Sequence, residues 1–254
     1  KMGKKGGSIH LKREASPKFW PIHRKEFTWA VKPRPGPHPI NRCIPLVLIV
    51  REILDLAKTR KEARKIISQG KILVDGKVRR DDRFPAGLMD VISIPDLDVH
   101  YRILPSEKGL TLHQIDKEEA RFKLCRIENK TTVRGGHIQL NLHDGRNLLV
   151  RGENSTSPEE DTYRTLDTLM ISIPDQEIIE HFRMGKGMSA IFIDGKNIGK
   201  HGMISSIEEQ PNRKRRRLLV NIEDESGRIY QSILDYTFVI GNGTPRISLP
   251  TMED

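Results

Sequence analysis

Apolar residues between Thr59 and Gly70 recur at helical spacing. Ala63, Ile66 and Ile67 fall on one face of a helix. Thr59 and Glu62 have the Ser/Thr-x-x-Glu spacing of a capping box, in which each residue satisfies a backbone N–H at the helix start. The pattern therefore predicts an amphipathic helix that begins after Thr59.

Directly after this helix, the helical spacing of apolar residues gives way to two short strand-like segments joined by a turn. Gly70 suits the left-handed position that ends a helix. Residues 72–74 and 77–79 are short strand-like segments, and the Asp75-Gly76 pair between them is typical of a tight turn. The sequence thus predicts a helix followed by a β-hairpin.

Another apolar stretch precedes the capped helix. Residues 44–56 are predicted to form a helix opened by Pro45, since proline is favoured in the first turn. Its expected buried face consists of Leu46, Val50, Ile53 and Leu54.

The second half of the chain reads as β structure. Residues 138–142 alternate between apolar and polar positions, and the His143-Asp144-Gly145 turn returns the chain along 148–150. Residues 92–94 and 171–173 are strands that end at a proline, and we expect each to close a domain. Further strands are predicted at residues 122–127, 190–193, 203–207, 218–222, 229–233 and 238–240.

The first 41 residues show no stable period. The stretch from Lys32 to Pro39 alternates proline with other residues and is predicted to be extended. The basic N-terminal segment, residues 1 to about 35, is expected to be disordered in the free protein. The aromatic residues allow two interpretations, stacking on bases or packing on a neighbouring domain, and we favour packing. They are Phe19, Trp20, Phe27 and Trp29.

Charge is distributed unevenly along the 254 residues. The net charge is +10, with +8 over residues 1–41, +5 over 42–95, −5 over 96–182 and +2 over 183–254. A basic end beside an acidic middle indicates a polyanionic partner, and nucleic acid fits better than a membrane surface.

The sequence lacks the motifs typical of membrane proteins, metalloproteins and several classes of enzyme. The longest aliphatic run, 46–50, is too short for a membrane span, and no apolar signal segment follows the N-terminus, so we expect a soluble cytoplasmic protein. Cys43, Cys125 and the nine histidines show no metal-ligand spacing, and Cys125 is expected in a core. No P-loop or nucleophile motif is present. We therefore predict no catalytic residues, cofactor, metal or small-molecule substrate.

The basic residues that accompany the predicted elements are the candidate contacts to phosphate. A solvated charged surface is the alternative for any one of them, and nuclear targeting is a further alternative for the run from Arg213. The candidates, with two polar residues included, are Lys4, Lys5, His10, Lys12, Arg13, Lys18, Arg24, Lys25, Lys32, Arg34, Arg60, Lys61, Arg64, Lys65, Lys71, Lys77, Arg79, Arg80, Lys196, Asn197, Lys200, Arg213, Lys214, Arg215, Arg216 and Arg217.

Two segments resemble known RNA-associated modules. The order of helix, capped basic helix, glycine and basic hairpin resembles the alpha-L motif, in which the start of the second helix and the hairpin hold RNA backbone. The glycine-rich stretch from Asp194 to Gly202, between two strands, resembles the KOW motif of small SH3-like barrels. An ordinary glycine-rich hairpin is the alternative for that stretch.

The order of segments resembles the small-subunit ribosomal protein 4e family, in its archaeal form. The motifs that carry this resemblance are His10-Leu11-Lys12-Arg13, Ala15-Ser16-Pro17-Lys18-Phe19-Trp20, Pro35-Gly36-Pro37-His38, Gly87-Leu88-Met89-Asp90-Val91-Ile92 and Gly195-Lys196-Asn197-Ile198-Gly199. The resemblance implies a non-catalytic ribosomal component in the cytoplasm. Its implied partners are small-subunit rRNA and neighbouring ribosomal proteins.

We accordingly predict an α+β multidomain protein with four segments. A basic extension (1–41) precedes an alpha-L domain (42–96), a central β domain (97–182) and a KOW-type SH3-like barrel with a C-terminal tail (183–254). Two other functions remain open at this point. The alpha-L motif also occurs in RNA-modifying enzymes, and a free transcription or translation factor could carry both modules.

Overall fold

The computed structural model describes residues 8–134, 136–150, 162–208, 214–224 and 226–250, and it is mostly antiparallel β structure with few helices. Among these residues, no helix is long and apolar enough to cross a membrane. The strands in chain order are β1 (Leu11–Lys12), β2 (Trp29–Ala30), β3 (Cys43–Pro45), β4 (Leu73–Val74), β5 (Lys77–Val78), β6 (Pro85–Gly87), β7 (Val91–Ile94), β8 (Val99–Ser106), β9 (Gly109–Ile115), β10 (Phe122–Thr132), β11 (Ile138–Leu142), β12 (Asn147–Val150), β13 (Thr168–Ser172), β14 (Ile178–Phe182), β15 (Met188–Phe192), β16 (His201–Glu208), β17 (Leu219–Glu223), β18 (Ile229–Ile233) and β19 (Thr237–Asn242).

The helix predicted over 44–56 is shorter and more deeply buried than expected. Helix α1 (Leu46–Leu48) continues directly as a π-helical segment over Ile49–Ile53. It begins only after Pro45 because β3 pairs with β6 just before it. Every residue from Leu46 to Val50 is buried, so the helix has no solvent face in its first turns and the one-sided pattern predicted for it is wrong.

Helix α2 (Arg60–Ser68) confirms the predicted capped helix. The Thr59 hydroxyl accepts the N–H of Glu62, and the Glu62 carboxylate accepts the N–H of Thr59, which completes a capping box. Ala63 and Ile67 are fully buried in the core and Ile66 packs partly buried against it, so the predicted apolar stripe is confirmed and the opposite side of the helix is polar.

The N-terminal extension folds back onto the helical region. Trp20 is only 4% exposed, and its indole N–H donates to the Cys43 carbonyl oxygen at 2.7 Å. Trp20 thus anchors this part of the extension on the rest of the protein, while disorder of residues 1 to about 35 in the free protein stays a prediction. Packing of the aromatic residues is confirmed for Trp20, whereas Trp29 and Phe27 remain largely exposed.

The first large sheet has the strand order β5-β4-β7-β8-β9. Strands β7 and β8 pair along their length, from Val91 opposite Arg102 to Ile94 opposite Val99. Pro95 starts a 3-10 turn that reverses the chain into the same sheet. The expected boundary between residues 96 and 97 therefore does not separate two sheets.

Two further five-stranded antiparallel sheets follow. One has the order β12-β11-β10-β13-β14, and the long strand β10 lies at its centre. The other has the order β18-β17-β16-β15-β19 and contains every strand predicted beyond residue 183.

Three apolar clusters form the core. The first joins Trp20 to the helices and to Ile103 of β8. The second is shared by the last two sheets, since Leu124 and Phe182 pack with Phe238. The third surrounds Cys125 inside the central sheet, where this residue was expected. Because the first two clusters each draw on more than one segment, the segments are packed together rather than joined only by linkers.

Candidate nucleic-acid interface

Helix α2 presents three cations to solvent. Lys61, Arg64 and Lys65 are exposed, while the opposite side of the helix is buried. They border a shallow groove together with Thr59 and Ser68. Residues three and four apart are neighbours on a helix surface. We call Lys61, Arg64 and Lys65 the basic face.

The start of α2 differs from the expected phosphate site. The Glu62 carboxylate accepts the backbone N–H groups of both Lys58 and Thr59, at 3.1 and 3.2 Å. Hydrogen bonding to Thr59 lowers the pKa of Glu62, so this negative charge is permanent at neutral pH. The Glu62 carboxylate therefore adds a negative charge at the helix start, next to the positive side chains of the basic face.

Arg60, the first residue of the helix, points away from the basic face. Its guanidinium lies 3.1 Å from the carboxylate of Asp82, which is largely buried. Arg60 is thus partly structural, although close to half of its side chain remains exposed.

The hairpin of β4 and β5 contributes cations of two kinds. Lys77 and Arg80 are exposed. Lys71 lies 2.9 Å from Asp96, and the Arg79 guanidinium covers the Phe84 ring at 4.4 Å. Among the described residues, Lys77 and Arg80 therefore have no ion-pair or aromatic partner, whereas Lys71 and Arg79 do.

The candidates in the extension are similarly divided. Lys12, Lys18 and Lys25 are exposed, and so is His10. Lys4 and Lys5 lie outside the described residues. The other candidates have partners within the protein. Arg13 donates to the carbonyl oxygens of His23 and Trp29, and Arg24 donates to those of Glu14, Ser16 and Pro17. Lys32 donates to the carbonyl oxygen of Ser8, and Arg34 lies 3.0 Å from Asp81.

The glycine-rich loop of the last sheet packs on the protein itself. Gly199 has φ +83°, and a Cβ placed there would lie 3.0 Å from the Cα of Ser106 in the β8–β9 turn. Lys200 lies 2.9 Å from Glu107 in the same turn, and the Asn197 side chain donates to the Gln231 carbonyl oxygen. The close approach that these glycines permit is therefore intramolecular. Lys196 is the exposed cation of this loop.

The basic run near residue 215 is also mixed. Lys214, Arg215 and Arg217 are exposed, and Arg213 lies outside the described residues. Arg216 instead reaches Glu128 at 3.1 Å and Asp235 at 2.9 Å, which raises the pKa of its guanidinium. It ties the last sheet to β10 of the central sheet.

A group of buried charges escaped the sequence-based prediction. The Lys123 ammonium group of β10 is fully buried and contacts three carboxylates, those of Asp75, Asp90 and Asp144, at 2.5 to 2.9 Å. Arg146 contacts Asp75 and Asp144 from the side. His38 lies 3.1 Å from Asp90. We call these six residues the junction cluster.

The junction cluster connects three segments of the chain. His38 comes from the extension, Asp75 and Asp90 from the hairpin region, and Lys123 from the central sheet. The His38 ring also fills the space beside Gly87, where a Cβ would lie 2.4 Å from it. Two motifs far apart in sequence, one around His38 and one around Gly87, therefore meet here.

Electrostatics within the junction cluster favour the ionised carboxylates. The Lys123 charge lowers the pKa of Asp90, against the opposing effect of burial, and lowers that of Asp144 to about 2. Although burial alone would lower the pKa of Lys123, its three carboxylates raise it well above the ordinary value. The cluster is thus a set of mutually compensated charges.

A potential metal-ligand group lies next to the cluster, formed by Cys125, His143 and Asp144. Its donor atoms are already engaged. The Asp144 carboxylate contacts Lys123, and the two His143 ring nitrogens lie 3.2 Å from the Arg126 N–H and the Leu88 carbonyl oxygen. Burial raises the pKa of the Cys125 thiol well above its ordinary value, whereas a metal requires the thiolate. The group does not fit a metal.

One sequence signal pointed to these buried charges. Lys123 and Arg126 interrupt the apolar run of 122–127, and a charge in a strand that is buried on both faces must be paired. Arg126 is paired by Glu128 and by the carbonyl oxygens of Asp235 and Thr237. Because the acidic partners are distant in sequence, the pattern alone could not identify them.

Comparison with known proteins gives matches along nearly the whole chain. "Ribosomal family S4e" matches residues 97–178, "RS4NT (NUC023) domain" residues 5–41 and "S4 domain" residues 46–92. The chain is 54% identical to "Small ribosomal subunit protein eS4" of Aeropyrum pernix, over 98% of each chain. It is 45% identical to the protein of the same name in Methanocaldococcus jannaschii, over 98% of this chain and 100% of that one. The crystal structure of the 30S ribosomal protein S4e from Thermoplasma acidophilum superposes with a TM-score of 0.65 and 30% identity, covering 79% of this chain and 96% of that one.

Proposed function

The chain belongs to the ribosomal S4e family, and from that premise we propose that it is a structural protein of the small ribosomal subunit that binds ribosomal RNA. Its place is the ribosome in the cytoplasm. Its partners are small-subunit rRNA and the neighbouring ribosomal proteins. The relatives are ribosomal proteins rather than enzymes, and they give no support to an RNA-modifying activity or to a free factor.

The basic face of α2 carries this proposal. Lys61, Arg64 and Lys65 share one exposed surface on a helix whose other side is fixed in the core. A rigid row of cations suits the regular spacing of RNA phosphates, and such contacts bind with little dependence on sequence. The hairpin that follows α2 adds the exposed cations Lys77 and Arg80, as the resemblance to the alpha-L motif implies.

The candidate residues fall into two groups under this proposal. Those with solvent-exposed charges serve RNA directly: His10, Lys12, Lys18, Lys25, Lys61, Arg64, Lys65, Lys77, Arg80, Lys196, Lys214, Arg215 and Arg217. Those with intramolecular partners, such as Arg13, Arg24 and Arg216, position the segments that carry the first group.

The division into four segments is part of the proposal. The last sheet, with five antiparallel strands and the glycine-rich loop after β15, supports a KOW-type SH3-like barrel over 183–254. The family matches at 5–41, 46–92 and 97–178 support the segments 1–41, 42–96 and 97–182. The shared sheet of β7 and β8 makes the second and third segments one structural unit for docking on RNA.

Sedimentation of reconstituted small subunits tests the proposal. The full chain should migrate with the subunit through a high-salt wash. A variant with Lys61→Gln, Arg64→Gln and Lys65→Gln should bind rRNA more weakly, and its log K should depend less steeply on log salt, by roughly 0.7 to 0.9 per lost phosphate contact.

A matched control removes the same charge from other exposed positions. Lys108→Gln, Lys186→Gln and Arg228→Gln together also remove three positive charges, at exposed residues outside the candidate set. The control should keep a steeper salt dependence than the basic-face variant. Equal behaviour of the two variants, or release of the wild-type chain by the wash, would contradict the proposal.

A further inference from the structure

Trp29 projects from the extension toward solvent in a defined orientation. In the ribbon of β1 and β2, Leu11 pairs with Ala30 and Lys12 with Trp29. Leu11 and Ala30 pack against the first apolar cluster, so the alternate pair, Lys12 and Trp29, lies on the outer side. Trp29 is 56% exposed and its neighbour Phe27 is 67% exposed.

Arg13 holds this aromatic pair in place from below. Its side chain is nearly buried, and its Nε donates to the Trp29 carbonyl oxygen at 3.3 Å. The guanidinium carbon also lies 4.9 Å from the centre of the Phe27 ring. A buried cation therefore holds the backbone at Trp29 and contacts the Phe27 ring, while the outer surfaces of both rings are open. Ordering of this kind before binding reduces the entropy lost when a ligand binds.

Shallow grooves lie on both sides of Trp29. The first is bordered by His10, whose ring centre lies 5.4 Å from that of Trp29, and by Lys32, Arg60 and Arg83. The second is bordered by Phe27 and Arg51. Each groove thus combines an aromatic wall with basic side chains, of which Arg51 and Arg60 are ion-paired within the protein.

Acidic groups near Trp29 are already neutralised. Glu26, Glu52 and Asp82 lie within ion-pair distance of Arg13, Arg51 and Arg60 respectively. The exposed Lys12 on the ribbon and Arg83 at the groove remain as the local excess of positive charge. The surface around the aromatic pair therefore favours an anionic partner.

We propose that Trp29 and Phe27 form a stacking platform for unpaired nucleotides of ribosomal RNA, with Lys12 and Arg83 holding the adjacent phosphates. This inference rests on the proposed function and adds a second kind of RNA contact to it. Unpaired bases expose their faces for stacking, whereas bases in a duplex do not. The first groove also reaches Arg60, the first residue of α2.

A protein partner fits this surface less well. An apolar protein surface docked on Trp29 would leave the surrounding cations desolvated unless the partner supplied matching acidic groups. RNA supplies a flat apolar ring and a negative charge in every nucleotide, which matches the alternation of aromatic and cationic groups here.

Fluorescence of the full chain tests the inference directly, because the chain has only two tryptophans and Trp20 is buried. Titration with small-subunit rRNA should quench the Trp29 emission and leave that of Trp20. A single-stranded RNA homopolymer should quench the same emission, and an RNA duplex of equal length should not.

Variants at Trp29 separate stacking from charge. Trp29→Ala should weaken rRNA binding by roughly 5- to 100-fold, the range expected for loss of one base–aromatic stack. Trp29→Phe should retain most of the affinity. Since no charge is removed, both variants should keep the wild-type dependence of log K on log salt. The matched control Ile229→Ala removes another exposed apolar side chain, from the last sheet, and should leave rRNA binding unchanged.

The outcomes distinguish failure of this inference from failure of the proposed function. Wild-type rRNA binding together with unchanged affinity of Trp29→Ala would overturn the platform and leave the proposed function intact. Equal quenching by duplex and single strand would also overturn it. Trp29→Ala that binds rRNA normally but fails to join the subunit would assign the surface to a protein partner. Absence of rRNA binding by the wild type would overturn both.

Discussion

The junction cluster and the basic face contain similar residues in opposite surroundings. Lys123 is fully buried among three carboxylates, whereas Lys61 is exposed on α2 beside Arg64 and Lys65. The first arrangement uses charge to fix extension, hairpin region and central sheet against one another. In the basic face, the positive charges are exposed to solvent and are therefore available to a polyanion.

This difference shows that charge itself does not identify an RNA contact. Removal of a buried charge lowers stability strongly, because its partner charges stay buried without compensation. Removal of an exposed charge changes stability little, because water replaces the lost side chain. Burial and pairing therefore decide whether a lysine stabilises the fold or serves binding. Each variant below changes one side of the comparison.

The largest effect is expected at the centre of the junction cluster. Lys123→Met should lower the free energy of unfolding by about 3 to 5 kcal/mol, because three buried carboxylates lose their common partner. Lys61→Met, the control on the basic face, should change it by less than about 0.5 kcal/mol. Urea denaturation followed by circular dichroism measures both values. Similar losses in the two variants would remove the distinction between the two regions.

Acid should destabilise the junction before it affects the rest. Burial lowers the pKa of His143, which adjoins the cluster, from 6.5 to about 4. Between these two pH values the imidazole is protonated in the unfolded chain but neutral in the folded chain. The free energy of unfolding therefore falls as pH decreases from 6.5 to 4, by up to about 3 kcal/mol. Asp144, with its pKa lowered from 3.8 to about 2, adds a second loss below pH 4.

Unfolding free energies measured between pH 7.5 and 4 test this sequence of events. His143→Gln should flatten the slope over that interval whatever its effect on absolute stability, since the titrating group is gone. A slope equal to that of the wild type would show that His143 does not cause the loss.

Substitution of Arg60 is expected to have an effect on stability between those of the junction cluster and the basic face. Arg60→Ala removes the partner of Asp82 but also an exposed cation next to the basic face. It should lower the free energy of unfolding by up to about 1 kcal/mol, as for other partly exposed ion pairs. Its salt slope for rRNA binding should fall less than that of a variant lacking a full phosphate contact. An unchanged stability would place Arg60 entirely with the basic face.

The smallest effect on stability is expected at Arg64. Arg64→Ala should change the free energy of unfolding by less than about 0.5 kcal/mol, because its side chain lies on the exposed side of α2. The slope of log K against log salt should nevertheless fall by roughly 0.7 to 0.9. Filter binding of small-subunit rRNA across a salt series measures this slope. If it does not change, the basic face is only a solvated surface.

Local elements were largely predictable from neighbouring residues. The Thr59–Glu62 capping box and the 73–78 hairpin depend on contacts between residues close in sequence, and the strands after residue 183 follow the local alternation of apolar and polar residues. The helix around Leu46 was misjudged because a helix buried on every side shows no one-sided pattern. The boundary proposed near residue 96 falls within a sheet shared by β7 and β8, because Pro95 marks a turn inside a sheet as readily as the end of a domain.

By itself, the sequence determined the capped helix, the hairpin, the strand periods and the family, since each is encoded in short-range spacing or in a fixed order of motifs. Tertiary structure alone decided which cations remain available. Lys123 and Lys61 are the same residue type, and only long-range packing places one among Asp75, Asp90 and Asp144 and leaves the other in water. The physical reason is that the energy of a charge depends on its surroundings, and those surroundings come from segments distant in sequence.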